Sequence, residues 1–219
     1  MALEGPSGVG KSTAARRLAR ATSSHLVREA VERLRPPASL RYRTRTGLEA
    51  LELRLAEEEG RRYHDAVRRR ERGQPVVLDT STLGPLTYAW GLRNVRGRQH
   101  DVVPSVRRWF RNALASDRWG LPDLTIYLDA SPEVVAARLA GATATHPADL
   151  AARHFAVARW ERRFWCGRAA RVAPSHVATI DAGGDREDVI ATLLDRIERR
   201  GTLRPLPSAR ARRLVNALR

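Results

Sequence analysis

Residues 5–12 read Gly5-Pro6-Ser7-Gly8-Val9-Gly10-Lys11-Ser12, a G-x-x-x-x-G-K-[ST] pattern that limits what can surround it. Its glycines let the backbone curl so that N–H groups point inward at phosphate oxygens. The lysine reaches the β- and γ-phosphates, and the serine hydroxyl ligates Mg²⁺. Such a loop needs a strand before it and a helix after it, because the helix N-terminus adds its dipole to the anion site. Met1-Ala2-Leu3-Glu4 supplies a short first strand, and Thr13-Ala14-Ala15-Arg16-Arg17-Leu18-Ala19-Arg20 is rich in helix formers, with Leu18 as an apolar anchor. Lys11 is the only lysine among the 40 basic residues. Lysine is a compact point charge and arginine a planar fork, so a chain that uses arginine elsewhere keeps lysine here for its chemistry. Gly5, Ser7, Gly8, Val9, Gly10, Lys11, Ser12 and Thr13 form the expected triphosphate-binding set.

The rest of the chain alternates strand and helix patterns. Ser24–Glu29 reads as a second strand, and Pro36-Pro37 breaks the segment after it. Leu40–Gly47 is a basic loop. Leu48, Leu51 and Leu55 recur at helical spacing and predict an amphipathic helix from Leu48 to Arg72, with Gly73 as its C-cap. Pro75-Val76-Val77-Leu78-Asp79 is a short apolar run ending in an acid, as suits a parallel strand covered on both faces. Residues 82–119 read as helical segments around a loop at Asn94–Asp101. Another strand is expected over Asp123–Asp129. Ser131-Pro132-Glu133 opens a helix with an N-cap serine and a proline at its first position. A long helix over Asp149–Arg168, a strand over His176–Asp181 and a helix over Asp185–Arg199 complete the pattern. The alternation predicts a parallel sheet with helices on both faces. Residues 1–200 are expected to form one domain. Residues 201–219 form a basic tail with a loosely attached helix at Ala209–Leu218.

Charge and cysteine content narrow the setting. The formal charge is +16, yet the arginines are spread over the whole chain without a basic block or an aromatic ladder. Compositional bias explains that spread better than a nucleic-acid partner, which is not expected. One cysteine, Cys166, excludes an intrachain disulfide and fits a reducing compartment. No stretch is long enough to span a membrane, and the N-terminus runs straight into the phosphate loop without a secretory signal. A cytoplasmic protein that does not bind membranes is expected.

With these motifs in place, the chain resembles the thymidylate kinase and deoxynucleoside kinase branch of the P-loop kinases, from Leu3 to about Arg199. Glu4–Thr13 looks like that family's phosphate loop, and Arg28-Glu29 like the pair that ends its second strand. Arg61, three residues before His64, resembles the arginine of its acceptor-site helix. Asp79 stands where the family has the Asp of an Asp-Arg pair, with Tyr88 nine residues later. Pro122–Asp129 followed by Pro132-Glu133 looks like its fourth strand. The resemblance implies a three-layer, doubly wound, five-stranded parallel sheet in the order 2-3-1-4-5. It also implies use of ATP and Mg²⁺, a small-molecule phosphoryl acceptor, a lid over about 139–153, and a possible homodimer.

The resemblance carries site roles onto these positions. Lys11, Asp79, Arg138 and Arg153 are the expected catalytic residues. Glu29, Arg61, Asp79 and Tyr88 are expected at the acceptor, and Ser12 and Asp79 at Mg²⁺. Asp129 is balanced between such a role and capping the turn before Ser131. Tyr88, Trp90, Trp109 and Phe110 fit either a sandwich around a flat ring or an aromatic core. Two departures matter. Thr80 stands where thymidylate kinases have an arginine that grips the acceptor's phosphate, so either the acceptor carries no phosphate or Arg43, Arg45 or Arg61 takes over. Between Arg138 and Arg153 there is no arginine, which leaves Arg138, Arg153, Arg159 or Arg162 to act from the lid.

The leading expectation is an ATP-dependent kinase of a nucleotide, nucleoside or similar hydroxyl compound. A close variant is an O-phosphotransferase acting on an antibiotic or secondary metabolite. A GTPase switch would need an Asn-Lys-x-Asp motif, and no lysine exists outside the loop. A motor or regulatory ATPase would need a glutamate after the strand-tip acid, but Thr80 follows Asp79 and Ala130 follows Asp129.

Overall fold

The computed structural model describes residues 1–35, 42–141, 148–201 and 205–218, with backbone alone at 141 and 148–153. Its centre is a five-stranded sheet of β1 (Ala2–Glu4), β2 (His25–Val27), β3 (Val76–Leu78), β4 (Thr125–Asp129) and β5 (Val177–Asp181), in the order β2-β3-β1-β4-β5. Every neighbouring pair is parallel. This is the sheet the resemblance implied. The apolar runs sit inside it because both faces are covered.

Helices α1 (Lys11–Ala21) and α9 (Arg186–Arg200) cover one face, where Leu3, Ile126, Leu128 and Ile180 pack with Leu18 and Leu193. The other face carries the larger core. It draws on α3 (Arg45–Glu71), α4 (Gly84–Arg96), α5 (Val103–Ala115), α7 (Ala148–Arg162) and α10 (Ser208–Ala217). Between these lie α2 (Ala30–Arg33), α6 (Pro132–Gly141) and α8 (Ala170–Val172). Asp185 caps α9 by accepting from the Glu187 N–H at 2.7 Å.

Two readings change. The long helix expected over Asp149–Arg168 is α-helical only to Arg162. Residues Arg163–Ala169 form a π-helical stretch that buries Phe164, Trp165 and Ala169. The C-terminal helix is not loosely attached. Ala211, Leu214, Val215 and Leu218 form an apolar stripe at helical spacing and lie in the main core. Trp90 and Phe110 are buried there too, with Trp109 packed against them, so these three rings are core and not a ring-binding pocket. Among the described residues no helix is long and apolar enough to cross a membrane.

Candidate active site

All five strands deliver an acid to the same edge of the sheet. Glu4, Asp129 and Asp181 end β1, β4 and β5, Asp79 follows β3, and Glu29 lies two residues past β2. Ligands of open parallel sheets bind at this carboxyl edge. A cavity of about 770 Å³ opens there. Gly5, Ser7, Gly8, Val9, Gly10, Lys11, Ser12 and Thr13 all line it, so the expected triphosphate set is brought together on one wall.

The loop's glycines have physical causes. Gly5 has a φ of 144°, and a Cβ on it would meet the Leu128 carbonyl oxygen at 2.5 Å. Gly10, at φ 104°, precedes the first turn of α1 in the left-handed region. Lys11 Nζ donates to the carbonyls of Gly5 at 2.9 Å and Pro6 at 3.1 Å, so the ammonium sits inside the curl that a triphosphate would fill.

The residues of the Asp79 turn are held from two sides. Thr80 has a φ of 71°, a strained conformation for a β-branched residue. Arg62, fully buried, donates to the carbonyls of Asp79 at 2.6 Å and Thr80 at 3.1 Å, and to both carboxylate oxygens of Glu59 at 2.7 and 2.6 Å. Glu4 accepts from the Ser81 N–H at 3.1 Å. Thr80, not Asp79, lines the cavity. Asp79 is 3% exposed, and its Oδ1 has no hydrogen-bond partner among the described residues.

Three expectations about arginine are corrected. Arg61 does not line the cavity; its side chain is 67% exposed and pairs with Glu58. The neighbouring Arg62 points inward instead, because adjacent helical positions face about 100° apart. Arg138 lines the cavity, but it is not free to act from a lid. It donates to the carbonyls of Val9 at 3.1 Å, Ala182 at 2.8 Å and Gly184 at 2.9 Å, tying the phosphate loop to the β5–α9 connection. Arg162 grips Asp129 with both forks of its guanidinium at 2.8–2.9 Å, so that acid is neutralised and does not cap the Ser131 turn. The side chains of Arg153 and of most of the expected lid lie outside the described residues. Arg43 and Arg45 are exposed.

Glu29 and Tyr88 line the cavity. Tyr88 stands against His154, ring centroids 5.4 Å apart. Sequence reasoning missed the other carboxylates on this wall: Glu52 and Glu59 from α3 and Glu161 from α7. Burial, reinforced by the Glu161 charge, raises Glu4 and Glu52 to about 8. Burial raises Glu161 to about 7 against the opposing pull of Lys11, and Glu59 to about 7 against the pull of Arg62. Glu29 is raised mainly by burial, with Lys11 opposing. A readable signal existed, since Glu52, Glu59 and Arg62 fall in helical register with buried Leu48 and Ala56.

The donor set fits Mg²⁺. The Ser12 hydroxyl at the start of α1 lines the cavity and offers a hard oxygen, while Asp79, outside the lining, keeps an orphaned Oδ1 at the same sheet edge, as suits an ion that retains several of its waters. Among the described residues no group of three or more acids, histidines or cysteines is placed to hold a metal by itself.

The family described as AAA domain matches residues 1–164. This chain belongs to that AAA-domain family. It is also 32% identical over 138 residues to the thymidylate kinase of Verminephrobacter eiseniae (strain EF01-2), a match covering 62% of this chain and 58% of the relative. It is 33% identical over 136 residues to the thymidylate kinase of Paracidovorax citrulli (strain AAC00-1), covering 60% and 58%. The matched part is thus less than two thirds of these relatives' length. In three dimensions it is similar to deoxyadenosine kinase from M. mycoides with bound dATP, at a TM-score of 0.69 and 15% identity over 90% of this chain and 97% of that one. The same kinase with dCMP and a flexible dCDP bound gives 0.67 and 12%, over 90% of this chain and 98% of that one. At such identities these neighbours establish the fold alone, the five-stranded parallel sheet in the order β2-β3-β1-β4-β5.

Proposed function

We propose that this protein is an ATP-dependent kinase that moves the γ-phosphoryl group of ATP to a hydroxyl of a small nucleoside-like acceptor. The observation that carries the reading is one continuous cavity that joins the phosphate loop to a wall of helices α2, α3, α4 and α7. The thymidylate kinase relatives support it.

Phosphoryl transfer asks the protein mainly for positioning and charge stabilisation. The loop amides and the N-terminus of α1 hold the triphosphate, and Lys11 leaves its two carbonyls for the β- and γ-oxygens. Ser12 and Asp79 would hold Mg²⁺, which neutralises charge on the phosphate oxygens when bound. Arg138 keeps the loop in register with the β5–α9 connection. Glu29 lines the cavity where Asp79 does not, and its raised affinity for protons suits it to accept the acceptor's hydroxyl proton. Thr80 in place of an arginine supports an acceptor without a phosphate of its own. A homodimer and a reducing, cytoplasmic setting belong to the same proposal.

The test is ADP formation by the full chain with Mg²⁺ and ATP against a panel of nucleosides and nucleotides. ADP that appears only when an acceptor is added supports the kinase. ADP formed equally without acceptor, or with none of the panel, contradicts it.

A further inference from the structure

The cavity is polarised. At its donor end Lys11, Arg16, Arg17, Arg138 and Arg186 line it beside one acid, Glu4; at its acceptor end Glu29, Glu32, Glu52, Glu59 and Glu161 do, with His154 from α7. Among the described lining residues there is no asparagine or glutamine at either end, and no lysine or arginine on α2, α3, α4 or α7. Arg62 is near but faces Glu59 and the Asp79 turn. Glu52 is 2% exposed, lines the cavity, and its Oε2 finds no hydrogen-bond partner among the described residues. Glu161, from α7, lines the same cavity.

An orphaned buried carboxyl group that shares a cavity with a second one is best satisfied by a partner that brings donors and positive charge. Burial raises both acids, so they hold their protons in the empty cavity; a phosphate would keep them protonated, whereas a bound cation would draw out the charged form. A neutral hydroxyl compound brings one donor per hydroxyl and no charge. An ammonium has three donors, no acceptor and the right sign. Resting on the kinase reading above, we propose that the acceptor carries a protonated amine beside its hydroxyl, and that the carboxylates of Glu52 and Glu161 seat that ammonium. The chemical class is a hydroxylated amine, such as an aminodeoxynucleoside or an aminosugar. Tyr88 and Leu55 offer apolar surface for the rest of the molecule.

The test compares matched acceptors with the full chain and saturating Mg²⁺ and ATP: thymidine against 3′-amino-3′-deoxythymidine, glucose against glucosamine, and thymidine monophosphate as the anionic member. Charge-assisted bonds to a buried carboxylate predict that the amine of a pair is preferred by roughly tenfold or more in kcat/KM, mostly through KM. Glu52→Gln should collapse that preference, and Glu52→Asp should restore part of it. Thermal midpoints and ATP binding of the variants report whether they fold, and the wild-type ratios stand even if they do not. Equal use of both members, a preference for the neutral or phosphorylated acceptor, or a preference that survives Glu52→Gln overturns the amine seat while leaving the kinase intact. No ADP with any acceptor overturns the kinase reading itself.

Discussion

The two ends of the cavity are built from opposite materials. The donor end is a short continuous stretch of chain, Gly5–Thr13, whose backbone amides and one ammonium make an anion site through local geometry. The acceptor end is assembled from α2, α3, α4 and α7, and its carboxylates meet only because those helices pack on the same sheet edge. One end is set by spacing along the chain, and the other by tertiary contacts. The donor end is lined mainly by cations and the acceptor end by acids whose affinity for protons is raised by burial, so the two ends suit different chemistry.

The largest effect on this contrast is expected from Arg62→Ala. It leaves Glu59 uncompensated and frees the strained Asp79-Thr80 turn that joins the two ends. Removing one partner of a buried pair costs about 3–5 kcal/mol, read as a lower urea midpoint. A midpoint equal to wild type would show that the turn holds itself. Lys11→Ala comes next. It strikes the donor end alone, so kcat should fall about 10²–10³-fold with the acceptor's KM little changed. A larger change in that KM would mean the ends are not separable.

The acceptor end is tested by pH. Glu52, Glu59 and Glu161 there, and Glu4 at the end of β1, bind protons more tightly folded than unfolded, at about 7–8 against an ordinary carboxylate. The native state therefore holds more protons between these values, and stability falls as pH rises from about 4.5 to about 8. Thermal midpoints should be higher at pH 5.5 than at pH 8, and Glu52→Gln should flatten that slope. The smallest effect is Thr80→Gly, which relieves a left-handed β-branched residue and should stabilise by about 1 kcal/mol, read as a slightly higher urea midpoint.

The same contrast explains what could be read in advance. The loop, the strands at Val76–Leu78, Thr125–Asp129 and Val177–Asp181, and the order of the sheet come from short runs whose meaning is local or carried by the resemblance. Arg61 and Arg62 could not be separated by spacing, since a single helical step sends one to solvent and the other into the core. Glu52 and Glu161 stand 109 positions apart in the chain, and only the packing of α3 and α7 brings them to the same cavity. Arg138 could be placed near the loop, but not pinned to three carbonyls, because its partners come from residues 9, 182 and 184.

The opposed charge of the two ends is tested most directly by steady-state turnover of thymidine against thymidine monophosphate with saturating Mg²⁺ and ATP. The account predicts that the phosphate-free acceptor has the higher kcat/KM, by about tenfold or more. A monophosphate used as well as the nucleoside, or better, would contradict it.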